Sequence, residues 1–279
     1  MQDVYPFVEV RGLRAEFGSL EHTVDAVRGI DFDLDRGRIT AMIGESGSGK
    51  SATCLALMGL LNGARVSGRM RFDDLRFPLG SQEEQLCRLR GRRIGMIFQD
   101  PFASLNPVRT IGSQLCETLR ALTDLRLRRD IEARARDLLR TVHLPDPDTV
   151  LRSYPHQLSG GMSQRVMIAL ALAGEPELLI ADEPTTALDV TVQREILDLL
   201  GHLRDATGLT ILLVTHDIDI AMDYADKLLV MRHGELLESG WASAVLRAPR
   251  HAYTRELLEA AFSLGATVGG VAREERTRA

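Results

Sequence analysis

The chain has 279 residues, 44% of them hydrophobic, enough to bury a sizeable core in one large domain or two unequal lobes. A net charge of −5 lacks the basic excess of an electrostatically driven nucleic-acid binder, which argues against nucleic acid as a partner. Three cysteines, Cys54, Cys87 and Cys116, lie far apart with no CxxC spacing, which suggests neither a disulfide framework nor a zinc site and fits a reduced, cytosolic chain.

The opening MQDVYPFVEV lacks the basic stretch and apolar core of a signal peptide, so the chain is expected to stay where it is made. From Val8 to Ile43 the pattern is short and β-like, broken at Gly18 and at Asp35 to Gly37, and reads as a small, mainly antiparallel β lobe. The strand RITAMI then meets a glycine-rich loop at Gly44, and SATCLALMGLL continues at helical spacing. Arg88, Arg90, Arg92 and Arg93 read as a solvated surface leading into the strand RIGMIFQ. Between Asp100 and about Arg165, segments such as TIGSQLCETLRAL and RRDIEARARDLLRTV place apolar residues three and four apart, as a helical insert would. Two apolar strands follow, LLIADEP from Leu178 and LTILLVTHD from Leu209, with a helix between them; this alternation implies a parallel, doubly wound sheet. KLLVMRHGELLESG reads as a hairpin turning at His233 and Gly234, and HAYTRELLEAA as a last helix. One domain is expected over 1–265, with the helical subdomain at about 100–165 set into an α/β core, and a frayed, charged tail over 266–279. The longest apolar runs, Cys54 to Met58 and Val166 to Ala173, fall short of the roughly 18 residues that span a bilayer.

Gly44, Gly49, Lys50 and Ser51 satisfy GxxxxGK[ST] between a strand and a helix, the context in which this pattern cradles phosphates. The loop Gly44, Glu45, Ser46, Gly47, Ser48, Gly49, with Lys50, Ser51 and Ala52 at the helix start, can turn backbone N–H groups and the positive helix end onto a triphosphate. Lys50 is placed to reach the β and γ phosphates, and Ser51 to offer its hydroxyl to Mg²⁺. Asp182, at the end of an apolar strand, is the expected metal carboxylate. Glu183, one residue on, can polarise an attacking water, so hydrolysis is expected rather than binding alone. His216 ends a buried-looking strand beside Asp217, where an imidazole could reach a γ-phosphate on the carboxyl edge of the sheet.

LSGGMSQR, Leu158 to Arg165, resembles the signature motif of the ABC ATPase family and stands upstream of LLIADEP, as in that family. The resemblance covers about Val8 to Leu258 and implies a P-loop (RecA-like) α/β fold. It makes Gln99 the Q-loop glutamine, a catalytic residue and a metal ligand beside Ser51 and Asp182, Ala187, Leu188 and Asp189 the D-loop, and His216 the switch histidine, catalytic with Glu183. Ser159, Gly160 and Gly161 begin a helix whose free N–H groups can hold an anion, and with Gln164 and Asp189 they are implied nucleotide contacts. Phe17 resembles the aromatic that stacks on adenine, with a half-buried strand position as the alternative. In the family two such phosphate-binding helix starts do not meet within one subunit, so the resemblance implies a head-to-tail dimer, formed with a second copy or a paralogue, with ATP between the Lys50 site of one subunit and the Ser159 site of the other.

With no membrane span in the chain, the resemblance is to importer ATPases that dock on two separate transmembrane permease subunits at the cytoplasmic face of the membrane. The docking surface is then expected near Gln99 to Arg109. FQDPFASLNPVRTIGSQL, SYPHQLSGGMSQR, ADEPTTALDVTVQ and HAYTRELLEA are similar to the peptide and nickel uptake subfamily, whose cargo (peptides, nickel, opines or metal-chelator complexes) is delivered by an extracytoplasmic substrate-binding protein. No cysteine follows Cys116, so the iron–sulfur cluster of some longer members is not expected, and shorter nickel-like or metallophore-like relatives gain weight. The alternatives are a soluble ABC-type ATPase attached to no transporter and a P-loop kinase. The first usually carries a coiled-coil insertion, a zinc module or fused cassettes, none of which is visible, and the second would need neither LSGGM nor the pair Glu183 and His216.

Overall fold

Four short, apolar runs form the centre of the protein. In the computed structural model, which describes residues 6–19, 22–81, 83–186 and 188–268, β3 (Ile39–Ile43), β6 (Ile94–Ile97), β7 (Leu178–Asp182) and β8 (Thr210–Thr215) are buried along their whole length. Strands covered on both faces lose the alternation of a half-exposed strand, hence the continuous runs. They pair in parallel, and with β9 (Lys227–Arg232) and the antiparallel edge strand β10 (Glu235–Trp241) they form one sheet in the order β10-β9-β3-β8-β7-β6. The period of two divides the core: Leu179 and Ala181 of β7 face one apolar cluster, Leu178 and Ile180 the other.

The first face is covered by α7 (Gly160–Ala171), α8 (Val190–Thr207) and helices that precede them: α4 (Ile111–Leu122), α5 (Arg128–Thr141) and α6 (Pro147–Arg152). Ile111, Leu115 and Leu119 of α4 are buried at a spacing of four, one stripe of an amphipathic helix, and the Thr110 hydroxyl caps its start by accepting from Ser113 N–H. The second face carries α1 (Lys50–Leu57) and the lobe built on β1 (Val8–Ser19) and β2 (His22–Leu34), through Val8, Val10, Leu13 and Ala15 on one side of β1.

The lobe is larger than the sequence suggested. β4 (Ala64–Phe72) and β5 (Leu75–Pro78) return after α1, and β1 pairs antiparallel with both β2 and β4. The short helices α2 (Glu83–Leu89) and α3 (Pro101–Ser104) follow, and α9 (Ile218–Tyr224) and α10 (Ala242–Arg247) lie after β8 and β10. The arginine run is likewise more structural than solvated: Arg90 donates to the carbonyls of Met58 and Gly59, and Arg93 is paired, while Arg88 stays exposed. The last helix, α11 (Ala252–Val268), passes the expected boundary at residue 265, and the stretch AREERTRA lies outside the described residues. Among the described residues, no helix is long and apolar enough to cross a membrane.

A charged cluster fastens the lobe to the sheet. Glu177 accepts from Arg93 at 2.5 Å and Arg36 at 2.8 Å, and both arginines also reach Asp73 in the β4–β5 turn, at 3.2 and 3.1 Å. Burial alone would raise the carboxyl of Glu177, but the two guanidinium groups outweigh it and hold the pKa below its ordinary value. A depressed acid stabilises the fold above its unfolded pKa and loses that stabilisation as pH falls through the folded one. Glu177→Gln is expected to lower stability by about 1 kcal/mol at neutral pH, given the partial exposure of the pairs. The difference from wild type should vanish at acid pH in denaturant titrations, and a pH-independent difference would show the cluster to be energetically idle.

Candidate active site

The sheet brings three chain segments to one edge. Ile43 at the end of β3 lies beside Thr215 of β8, and Asp182 of β7 beside Val214, so Gly44, Glu183 and His216 all step off the same rim. The order of strands reverses beside β3, which separates β8 from β9, and in open α/β sheets ligands bind outside the carboxyl ends at such a switch point.

The loop from Gly44 to Gly49 can close only with glycine at its ends. Gly44 has φ 153° and Gly49 φ 101°, and a Cβ would strike the carbonyl oxygen of Met231 at the first and of Ala26 at the second. Gly47, φ 79°, has open space around it. Ser48 is buried and its carbonyl accepts from Gly234 N–H at 2.9 Å. Lys50, 4% exposed, curls back to donate to the carbonyls of Gly44 at 2.7 Å and Glu45 at 2.9 Å. Burial pushes its pKa down, and the nearby carboxylates of Glu183 and Asp182 oppose that shift. No side chain caps α1, so its first-turn N–H groups are free of a side-chain acceptor. Ala52 packs toward the core beneath the loop, while Glu45, Ser46 and Gly47 face outward.

Ser51 donates to the Asp182 carboxylate at 3.0 Å, and burial raises the pKa of that acid. A hydroxyl and a carboxylate, both hard oxygen donors at a phosphate loop, fit Mg²⁺, which takes few protein ligands and completes its shell with phosphates and water. Glu183 stands apart in character. Its backbone is left-handed, φ 45°, and its N–H continues the strand pairing to Val214 at 3.0 Å before the chain turns. The carboxylate accepts from the Gln99 amide at 3.0 Å and the Thr186 hydroxyl at 2.9 Å, and His216 Nδ1 lies 3.3 Å from its other oxygen. Burial would raise its pKa, but Thr186, His216 and Lys50 together lower it, so the group is kept as a carboxylate.

The structure brings the expected residues Gln99, Glu183 and His216 to one point and sets Ser51 beside Asp182; Gln99 contacts Glu183 through its amide nitrogen. Thr186 went unread, although the TT after DEP was a signal: a hydroxyl three residues past an acid can turn back to it. Ser159 caps α7 through Met162 N–H, and Asp189 caps α8 through Val192 N–H. Gly160 and Gly161 pack on Leu188 and Val192, and a Cβ on Gly161 would come within 2.7 Å of Val192 Cγ1. Gln164 is corrected: it is 1% exposed, so it lies inside the subdomain and away from the surface that Ser159 presents. Phe17 is half-buried on β1 opposite Val24, two residues from the Ala26 that backs Gly49. Ala187 lies outside the described residues.

The ABC transporter family model matches residues 27–186, more than half of the chain. The chain belongs to the ABC transporter ATP-binding family. Members of this family hydrolyse ATP. The cassette is 44% identical over 276 residues to the glutathione import ATP-binding protein GsiA of Escherichia coli O1:K1 / APEC, covering 96% of this chain and 44% of that protein. To GsiA of Salmonella choleraesuis strain SC-B67 it is 46% identical over 269 residues, covering 94% and 43%. It therefore spans less than half the length of these relatives. Among solved structures, the cassette MJ0796, dimeric in a post-hydrolysis state bound to ADP and Pi, superposes with a TM-score of 0.73 at 28% identity, covering 84% of this chain and 98% of that one. CbiO1 from Clostridium perfringens, part of the ABC transporter complex CbiONQ, gives 0.72 at 29% identity, covering 94% and 98%.

The Thr186 hydroxyl bond favours the charged form of Glu183, so removing it should raise the carboxyl pKa. In Thr186→Val the acid limb of the kcat profile is expected to move toward neutral pH, with kcat at pH 7 lower by roughly threefold to tenfold. A profile superimposable on that of wild type would show that Thr186 does not tune Glu183.

Proposed function

We propose that this chain binds ATP with Mg²⁺ at Gly44 to Ser51 and hydrolyses it with Glu183 as the base. The carrying observation is the Glu183 carboxylate, held ionised by Thr186 and His216 and contacted by Gln99 on the rim that also carries Lys50, Ser51 and Asp182. Lys50 would leave the loop carbonyls for the β and γ phosphates, and the free N–H groups of α1 would receive the anion. Mg²⁺, held by Ser51 and Asp182, would supply charge neutralisation on the phosphate oxygens. Glu183 orients water toward the γ-phosphate and takes its proton, with Gln99 steadying the carboxylate and His216 beside both.

The Ser159 to Gly161 start of α7 contributes nothing to the Glu183 cluster and serves as the second half of a site completed by another ATPase subunit. Permease docking is supported by a groove of about 540 Å³ lined by Phe98, Leu105, Leu122, Met167 and Leu170, beside the expected Gln99 to Arg109 surface where Phe102 and Val108 stand exposed. In this reading the chain works at the cytoplasmic face of the membrane as an importer ATPase. The naming of the relatives for glutathione import supports a small peptide-like cargo over nickel or a metallophore.

Glu183→Gln is expected to keep ATP affinity and lose turnover by a factor of about 10² to 10⁴ in the assembled complex, and undiminished turnover would remove Glu183 from the role. Lys50→Ala should weaken ATP binding by about tenfold or more through loss of a charged phosphate contact, which a fluorescence or calorimetric titration reads directly. Wild-type affinity there would refute the loop assignment.

A further inference from the structure

The motif HAYTRELL has no part in the chemistry above, yet its tyrosine touches the phosphate loop. Tyr253, on the first turn of α11, is 2% exposed, and its hydroxyl accepts from the Glu45 backbone N–H at 3.1 Å. Its ring shares a buried cluster with Ile43, the residue before Gly44, and with Val230 and Leu258. The Arg232 guanidinium lies 4.4 Å from the ring centroid. Arg232 ends the strand whose hairpin backs the loop through Met231 against Gly44 and Gly234 N–H on the Ser48 carbonyl. The helix start is itself pinned: Glu238 of β10 accepts from the N–H groups of Arg250 and His251 at 2.9 and 3.1 Å, and His251 Nδ1 accepts from Tyr253 N–H at 3.1 Å. A phenylalanine would fill the cluster equally well, so what the tyrosine adds is the hydroxyl, and a buried hydroxyl is costly unless it has a partner.

We propose that Tyr253 is a positioning residue whose hydroxyl holds the Glu45 amide, and with it the first turn of the phosphate loop, in the conformation that receives a triphosphate, coupling the docking of α11 to ATP binding. This rests on the reading of Gly44 to Ser51 as the ATP site. A loop held in its binding conformation has less ordering left to do when the ligand arrives. The coupling is reciprocal, so ATP must favour the docked helix as much as the docked helix favours ATP.

The test combines ATP titration with backbone hydrogen exchange on the full chain. Wild-type protein that binds no ATP would sink the site assignment itself. Given wild-type binding, Tyr253→Phe is expected to raise the Kd for ATP about threefold to tenfold. Its thermal midpoint without nucleotide should stay near that of wild type, because ring, burial and Arg232 contact remain. Saturating ATP should slow exchange across residues 252–258 in wild type and leave it unchanged in the variant. Wild-type affinity in a folded Tyr253→Phe overturns the proposal. Should the variant not fold, the wild-type exchange decides alone: slowing at 252–258 supports the coupling, and no slowing overturns it.

Discussion

The parallel register of β3, β7 and β8 is the constraint on which the site depends. Because Ile43 lies level with Thr215, and Asp182 with Val214, three segments far apart in sequence leave the sheet side by side. A shift of one residue in β7 would turn Asp182 and Glu183 each to the other face and separate Asp182 from Ser51. The register is specified by burial on both faces, since Leu178 and Ile180 belong to one core and Leu179 and Ala181 to the other. The chemistry at the rim is therefore secured by apolar residues that never touch a ligand.

The rim concentrates charge that the fold would otherwise expel. Lys50, Asp182 and Glu183 lie close together in partly dry surroundings, and their environments move them differently. Burial raises Asp182 and lowers Lys50, while hydrogen bonds and the nearby histidine keep Glu183 low. Two adjacent acids are thus given separate characters by surroundings alone: one faces a serine hydroxyl, and the other collects donors suited to a carboxylate that must stay ionised. The left-handed backbone at Glu183 is a local strain that aims the side chain, and the neighbouring strand pairing to Val214 holds it there.

Much of this was legible in the residues. The loop, the strands ending at Asp182 and Thr215, the helical subdomain and the hairpin at His233 follow from patterns that act locally: glycine spacing, continuous apolar runs, and apolar positions three and four apart. What escaped was decided by non-local pairing. β4 does alternate, with Ala64, Val66, Met70 and Phe72 on the inner side and Arg65, Ser67, Arg69 and Arg71 on the outer, but its place in the lobe is set by pairing to the distant β1, which the local pattern does not carry. Gln164 sits in a motif associated with nucleotide, but helix geometry turns it inward, which no reading of composition shows. Tyr253 meets Glu45 across 208 positions of sequence, so the HAYTRELL string could mark a helix without disclosing its contact.

In the proposed function, the rim of one subunit and the α7 start of another close around a single triphosphate. Vanadate trapping measures this most directly. Orthovanadate bound with ADP in place of the γ-phosphate cuts nearby backbone on near-ultraviolet irradiation, and mass spectrometry locates the cuts. In the assembled transporter, cuts are expected both within Gly44 to Ser51 and within Ser159 to Met162. Cuts confined to the first segment, with vanadate trapped stoichiometrically, would contradict the claim.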